Sequence, residues 1–113
     1  MFNSPPVPAI SAQATYDRLI NEDTAAQPII VDVREPDEWA EGHIEEAKHI
    51  PLGQLGARVR EIPQDREVIL VCHSGQRSAM ATTMLLRAGY TRAVNMTGGM
   101  DAWERQHLPI ARS

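Results

Sequence analysis

The chain has 113 residues, 42% hydrophobic and 23% charged, a composition that suits one compact globular domain and leaves little room for a second. Eleven Lys and Arg stand against fifteen Asp and Glu, a formal net charge of −4, so no broad positive field is present to attract nucleic acid or anionic lipid. No apolar run approaches the roughly 20 residues that cross a bilayer, and the single cysteine, Cys72, excludes an internal disulfide, a Cys-rich zinc site and an internal resolving thiol.

Residues 1–9 are rich in proline and small residues and are expected to form an irregular arm ahead of a single domain over residues 10–113. The opening "MFNSPPVPAIS" has no basic residue and no unbroken apolar stretch, so it lacks the parts of a secretory signal, and a cytoplasmic location is the expectation. Ser11 is placed to cap a helix carrying Ala14, Tyr16, Leu19 and Ile20, which ends at Asn21-Glu22-Asp23. Pro28 to Val33 is short, β-branched and nearly continuous in apolar character, the pattern of a strand covered on both faces in a parallel sheet. In "REPDEWAEGHI", Pro36 opens a short helical turn containing Trp39, and Gly42 closes it. A brief strand through Lys48-His49-Ile50 follows. Leu52, Leu55, Val59 and Ile62 then recur at helical intervals between Pro51 and Pro63, which predicts another helix, interrupted in its first half by two glycines.

Val68 to Val71 is a second buried strand, and Gln76 to Arg87 the clearest helix, with Ala79, Met80, Thr83, Met84 and Leu86 available to cover a sheet and Gly89 to stop it. Ala93 to Met96 makes a short final strand, Gly98-Gly99 a turn, and Met100 to His107 a last helix. Strands alternating with helices predict an α/β fold: a small, mostly parallel central sheet flanked by helices on both faces. In such folds sites form beyond the carboxyl ends of the strands.

Cys72 stands at such an end, in "VILVCHSGQRSAM", where strand gives way to helix. His73-Ser74-Gly75 must turn sharply before a helix that begins near Gln76 or Arg77, and Gly75 permits backbone angles that side chains resist. Successive N–H groups of such a turn can face inward as an anion-binding nest, to which the helix start adds unpaired donors and a positive dipole end. The same surroundings, with Arg77 close by, stabilise a thiolate over its thiol. A lone cysteine is more often inert core filling; the glycine turn, the helix and the arginine shift the balance to a nucleophile. Cys72 and Arg77 are separated by four residues, C-x4-R, whereas phosphate-binding cysteine loops of the tyrosine-phosphatase pattern use five, and here that position holds Ser78. A shorter loop suits a cysteine carrying one extra sulfur better than it suits a phosphate.

Elsewhere the bland roles weigh more. Asp32 and Arg34 lie at the end of another predicted strand and are read as supports that orient backbone and loop, or as a local ion pair. Glu38 and Glu41 read as a solvated helix face. His43 and His49 lack a third partner for zinc, so a metal site is not expected. Trp39 and Trp103 read as core cover, and Gly98-Gly99 lacks the spacing of a nucleotide-binding fingerprint.

"CHSGQRS", Cys72 through Ser78, resembles the active-site loop of the rhodanese family of sulfurtransferases. "IIVDVREPDEWAEGHI", "AKHIPLGQL" and "AVNMTGGMDAW" resemble the family's flanking segments in the expected order, so that the likeness runs from Ile10 to Ile110. It implies a rhodanese-like fold and a double displacement: a Cys72 persulfide forms from thiosulfate or a related small donor and passes its sulfur to a thiol or protein cysteine, cyanide serving as acceptor in assays. It further implies Cys72 as nucleophile and the backbone N–H groups of His73, Ser74, Gly75, Gln76, Arg77 and Ser78 as the cradle. Arg77 becomes the loop-closing arginine, and no metal or organic cofactor is required. The family often carries arginine directly after the cysteine; His73 here supplies only a conditional charge. Two other readings stay open: a phosphatase or arsenate reductase of related fold, and a sulfur-relay or regulatory module without turnover of its own. The oligomeric state is open, and a monomer is compatible with the sequence.

Overall fold

The two apolar runs expected as buried strands form the middle of a five-stranded sheet. The structure is a computed structural model that describes residues 6–112. In chain order its elements are β1 Ala9–Ile10, α1 Ala12–Asn21, β2 Ile29–Asp32, α2 Pro36–Glu41, β3 Lys48–His49, α3 Leu55–Arg58, β4 Val68–Val71, α4 Gln76–Arg87, β5 Ala93–Met96 and α5 Gly99–Arg105. The strands run in the order β1-β5-β4-β2-β3, every neighbouring pair parallel. Parallel neighbours require crossovers, and the helices that make them pack over the two faces.

All four residues of β4 are 0% exposed, so side chains alternate between two apolar layers rather than between core and water. Val68, Leu70 and Cys72 pack with Val31, Leu55, Leu85 and Tyr90 on one face; Ile69 and Val71 pack with Ile30, Leu19, Met100 and Trp103 on the other. Ser11 caps α1 as expected, its hydroxyl accepting the Ala14 N–H at 3.0 Å. Pro36 opens α2 and Gly42 closes it.

Three expectations change in detail. The segment between Pro51 and Pro63 is not one helix: α3 is a single turn between 3-10 turns at Leu52–Gln54 and Val59–Glu61. Gly53 and Gly56 weaken the helix locally, while Leu55 and Ile62 still reach the core. The buried face of α4 is Ser78, Ala81, Thr82 and Leu85, and Met80, Met84 and Leu86 are exposed. The helix is turned so that Ser78 faces the end of β4, and that phase carries the methionines outward. The sheet also begins earlier than the expected domain start: Ala9 belongs to β1, and the Asn95 N–H donates to the Pro8 carbonyl at 2.8 Å. Residues 1–5 of the expected arm lie outside the described residues.

Register sets the rim. Asp32 is level with Val71, and the Val33 N–H donates to the Val71 carbonyl at 2.9 Å, so β2 and β4 end together and Arg34 and Cys72 leave the sheet at the same edge. Ile69, 0% exposed at the centre of this frame, is the position that tests it. Ile69→Ala is expected to cost about 2–5 kcal/mol, read as a lower urea midpoint at unchanged slope; a wild-type midpoint would contradict the packing described.

Candidate active site

The turn after β4 closes on a single sulfur atom. Gly75, at φ +104°, lies in the left-handed region that side chains avoid, and a Cβ there would stand 3.2 Å from the Gly98 nitrogen. From this position the Gly75 N–H donates to Cys72 Sγ at 3.1 Å, and the Ser78 hydroxyl lies 3.2 Å from the same atom. Burial pushes the Cys72 thiol up; the Ser78 hydroxyl and the backbone N–H groups of Ser78, Gly75 and Ser74 outweigh it, holding the group below the ordinary value of 9.0.

The loop is also held from behind. At the start of α5 the Met100 N–H donates to the Cys72 carbonyl at 2.8 Å and the Asp101 N–H to the His73 carbonyl at 2.9 Å. A peptide group whose C=O is drawn one way presents its N–H the other way, so the bond to the His73 carbonyl turns the Ser74 N–H toward the sulfur. Gly99 makes the close approach possible: a Cβ there would sit 2.6 Å from the His73 carbonyl oxygen and against that of Cys72. The Gly98-Gly99 pair, read in the sequence as a turn, is thus the back wall of the cysteine loop.

Arg77 points along the rim and grips Glu38 through two parallel hydrogen bonds of 2.7 Å each. This corrects the reading of Glu38 as part of a solvated helix face. The Arg77 guanidinium holds the Glu38 carboxyl well below its usual 4.5, at about 2, against an opposing push from desolvation. Glu38 in turn holds the Arg77 pKa above its ordinary value. Glu38 also accepts the Glu35 N–H at 3.0 Å in a capping box, so the start of α2 and the start of α4 are tied through one carboxylate.

Asp32 and Arg34 form a buried ion pair, with Arg34 Nη2 2.8 Å from Asp32 Oδ2 and 2.8 Å from the Gly42 carbonyl. The pair fixes the end of β2 to the end of α2, and Arg34 lines a cleft of about 350 Å³ with Glu38, Glu41, His73, Glu104 and Arg112. His73 is exposed at its edge, Nε2 3.3 Å from Asp101 Oδ1. Ser74 and Gln76 are exposed on the same turn. The other candidates serve the fold: Trp39 stacks with both His43 and His49, His43 Nδ1 pairs with the Trp39 carbonyl, and the Trp103 indole donates to the Pro109 carbonyl. Among the described residues no three His, Cys, Asp or Glu side chains cluster to hold a metal ion, and no helix is long and apolar enough to cross a membrane.

A parallel α/β sheet carrying a cysteine loop at the carboxyl end of its central strand matches the family model of the Rhodanese-like domain over residues 11–106. The chain belongs to the rhodanese-like domain family. It is 44% identical over 82 residues to a "Sulfurtransferase" of Allochromatium vinosum, a match covering 73% of this chain and 77% of that protein. It is 35% identical over 101 residues to the "Putative sulfur carrier protein YrkF" of Bacillus subtilis, covering 89% of this chain and 53% of YrkF, about half that protein's length. Among solved structures, a rhodanese-related protein of Thermoplasma volcanium superposes with a TM-score of 0.83 at 26% identity, covering 94% of this chain and 99% of that one.

The Glu38–Arg77 pair yields a signed pH dependence. Because the folded carboxyl is held below its unfolded value of 4.5, the pair's contribution to stability is complete above that pH and is lost as pH falls toward about 2. Partly exposed as it is, the pair is worth up to about 1 kcal/mol. The urea midpoint of wild type is expected to exceed that of Glu38→Gln at neutral pH, with the gap closing between pH 4.5 and 2; a gap that does not change with pH would contradict the pairing.

Proposed function

We propose that the chain is a sulfurtransferase working through a Cys72 persulfide, with thiosulfate or a related small donor and a thiol or protein cysteine as acceptor. The relatives' names support sulfur transfer as the broad role. The observation that carries the finer reading is the convergence of the Gly75 N–H and the Ser78 hydroxyl on Cys72 Sγ. A sulfur that these donors face is stabilised as the anion, which is the form that attacks a sulfur donor.

In the first half-reaction the Cys72 thiolate attacks the outer sulfur of thiosulfate. The new Sγ–S bond forms as the bond to the sulfite sulfur breaks, and sulfite leaves with the bonding pair. In the second, an acceptor thiolate attacks the outer sulfur of the persulfide, and Cys72 departs as the thiolate that began the cycle. No proton is stranded and no oxidant is consumed. With one cysteine in the sequence, the sulfur must leave on an external acceptor, an arrangement that also suits a relay in which another protein takes it. The domain so assigned is the single unit expected over residues 10–113, extended at its start by Ala9 of β1, and the cytoplasm, where thiols stay reduced, is the compartment that fits a free catalytic cysteine.

Incubation with thiosulfate followed by mass spectrometry of the intact protein is expected to show one added sulfur on the wild type and none on Cys72→Ala. Cyanide is expected to remove it as thiocyanate. No adduct and no thiocyanate would overturn the reading, and vanadate-sensitive hydrolysis of an aryl phosphate that depends on Cys72 would favour phosphate chemistry instead. Cys72→Ala is expected to keep a near-wild-type thermal midpoint, because the thiol lies at the rim of the sheet; loss of the fold would make Cys72 a core residue only.

A further inference from the structure

The Ser78 hydroxyl has two neighbours that both want its one hydrogen. Its Oγ lies 3.2 Å from Cys72 Sγ and 2.6 Å from Oδ1 of Asn95 on β5, and all three residues are buried. Asn95 is itself anchored, its Nδ2 donating to the Gly75 carbonyl at 3.2 Å, which sets Oδ1 as the face turned to Ser78. A hydroxyl donates once and accepts twice. When Cys72 is a thiol, its own S–H donates to Oγ and the Ser78 hydrogen goes to Asn95. When Cys72 is a thiolate, Sγ carries the charge and no hydrogen, and it competes with Oδ1 for the hydroxyl. When a second sulfur is attached, the charge moves to the outer atom and Sγ becomes a poor acceptor.

We propose that Asn95 is a positioning residue that takes the Ser78 hydrogen whenever Cys72 Sγ does not need it, so that the hydroxyl follows the charge of the sulfur through the catalytic cycle. Asn95 does not touch the reacting atoms. It acts through Ser78, and through Gly75, whose carbonyl it braces while the N–H of the same residue faces the sulfur. Without it, the hydroxyl would stay on Sγ, favouring the resting thiolate over the persulfide and slowing the first displacement. The inference rests on Cys72 being the nucleophile of the proposed reaction, but its test needs no sulfur transfer.

The test is a double-mutant cycle read by alkylation. The rate of Cys72 reaction with iodoacetamide against pH gives the thiolate midpoint directly, because no other cysteine is present. Wild type, Asn95→Leu, Ser78→Ala and the double variant are compared. Loss of the Gly75 brace is common to both backgrounds and cancels; so do the charges around the sulfur, namely Arg77 with its partner Glu38, and His73 with Asp101. What remains is the share carried by the hydroxyl. With Ser78 present, Asn95→Leu is expected to raise the acid dissociation constant of Cys72 by about 2- to 10-fold more than it does in Ser78→Ala, the range of one hydrogen bond. Equal effects in the two backgrounds would overturn the proposal. A second measurement covers the case in which Asn95→Leu does not fold: in the wild type, the Asn95 side-chain amide resonances are expected to titrate with the Cys72 midpoint, and resonances that stay flat through it would overturn the proposal equally.

Discussion

The rim of the sheet depends on the direction of a few peptide groups between Cys72 and Ser78. Each is a dipole, and the N–H ends at Ser74, Gly75 and Ser78 all bear on one sulfur. Peptides do not adopt that arrangement unaided, because their C=O ends then need partners elsewhere. For the peptide that ends in the Ser74 N–H the partner is remote in sequence, the Asp101 N–H at the start of α5 donating to the His73 carbonyl, and on either side of it Met100 and Asn95 hold the neighbouring carbonyls of Cys72 and Gly75. The fold around the sheet is in this sense the support of a single oriented loop. Gly75 supplies the backbone angle, and Gly99 the space for α5 to come close.

Charge is distributed around the loop with the same economy. Arg77 is the nearby candidate counterion for a thiolate, yet both terminal nitrogens of its guanidinium are bound to Glu38. Its field still reaches Cys72, but the pair as a whole is nearly neutral, so stabilisation of the sulfur falls mainly to hydrogen bonds. A site held by short-range donors is less sensitive to ionic strength than one held by an exposed arginine. Arg77 locks α4 to α2, and through Gly42 and Arg34 that rim continues to the buried Asp32. The cleft beside the loop is lined by both acidic and basic groups, with His73 at its edge.

Much of this was legible in the sequence, for definite reasons. Strands β2 and β4 are buried on both faces, so their apolar runs announce a parallel sheet, and Cys72 at the end of one of them marks the candidate site. Gly75 and the helix after it declare the turn. The pairing of Asp32 with Arg34 is local, two residues apart, and could be read as such. Glu38 could not be placed, because its partner is thirty-nine residues away and nothing local separates a gripping carboxylate from a solvated one, apart from the capping-box position it fills. Asn95 escaped notice for a similar reason: a polar residue in a short strand shows its purpose only when the neighbouring strand brings Ser78 beside it. The face of α4 was misjudged because helical periodicity gives a stripe but not its rotation, and here the rotation is set by Ser78 turning inward to the sulfur.

The most direct measure of a donor-lined loop is the effect of folding on the acidity of its one thiol. Alkylation rates of Cys72 against pH, taken on the native chain and again in urea, compare the same sulfur with and without the oriented peptides around it. The native midpoint is expected to lie below the unfolded one, because the loop's hydrogen bonds outweigh the burial that opposes them. A native midpoint equal to or above the unfolded value would mean that burial prevails, and that the loop does not hold Cys72 as a nucleophile.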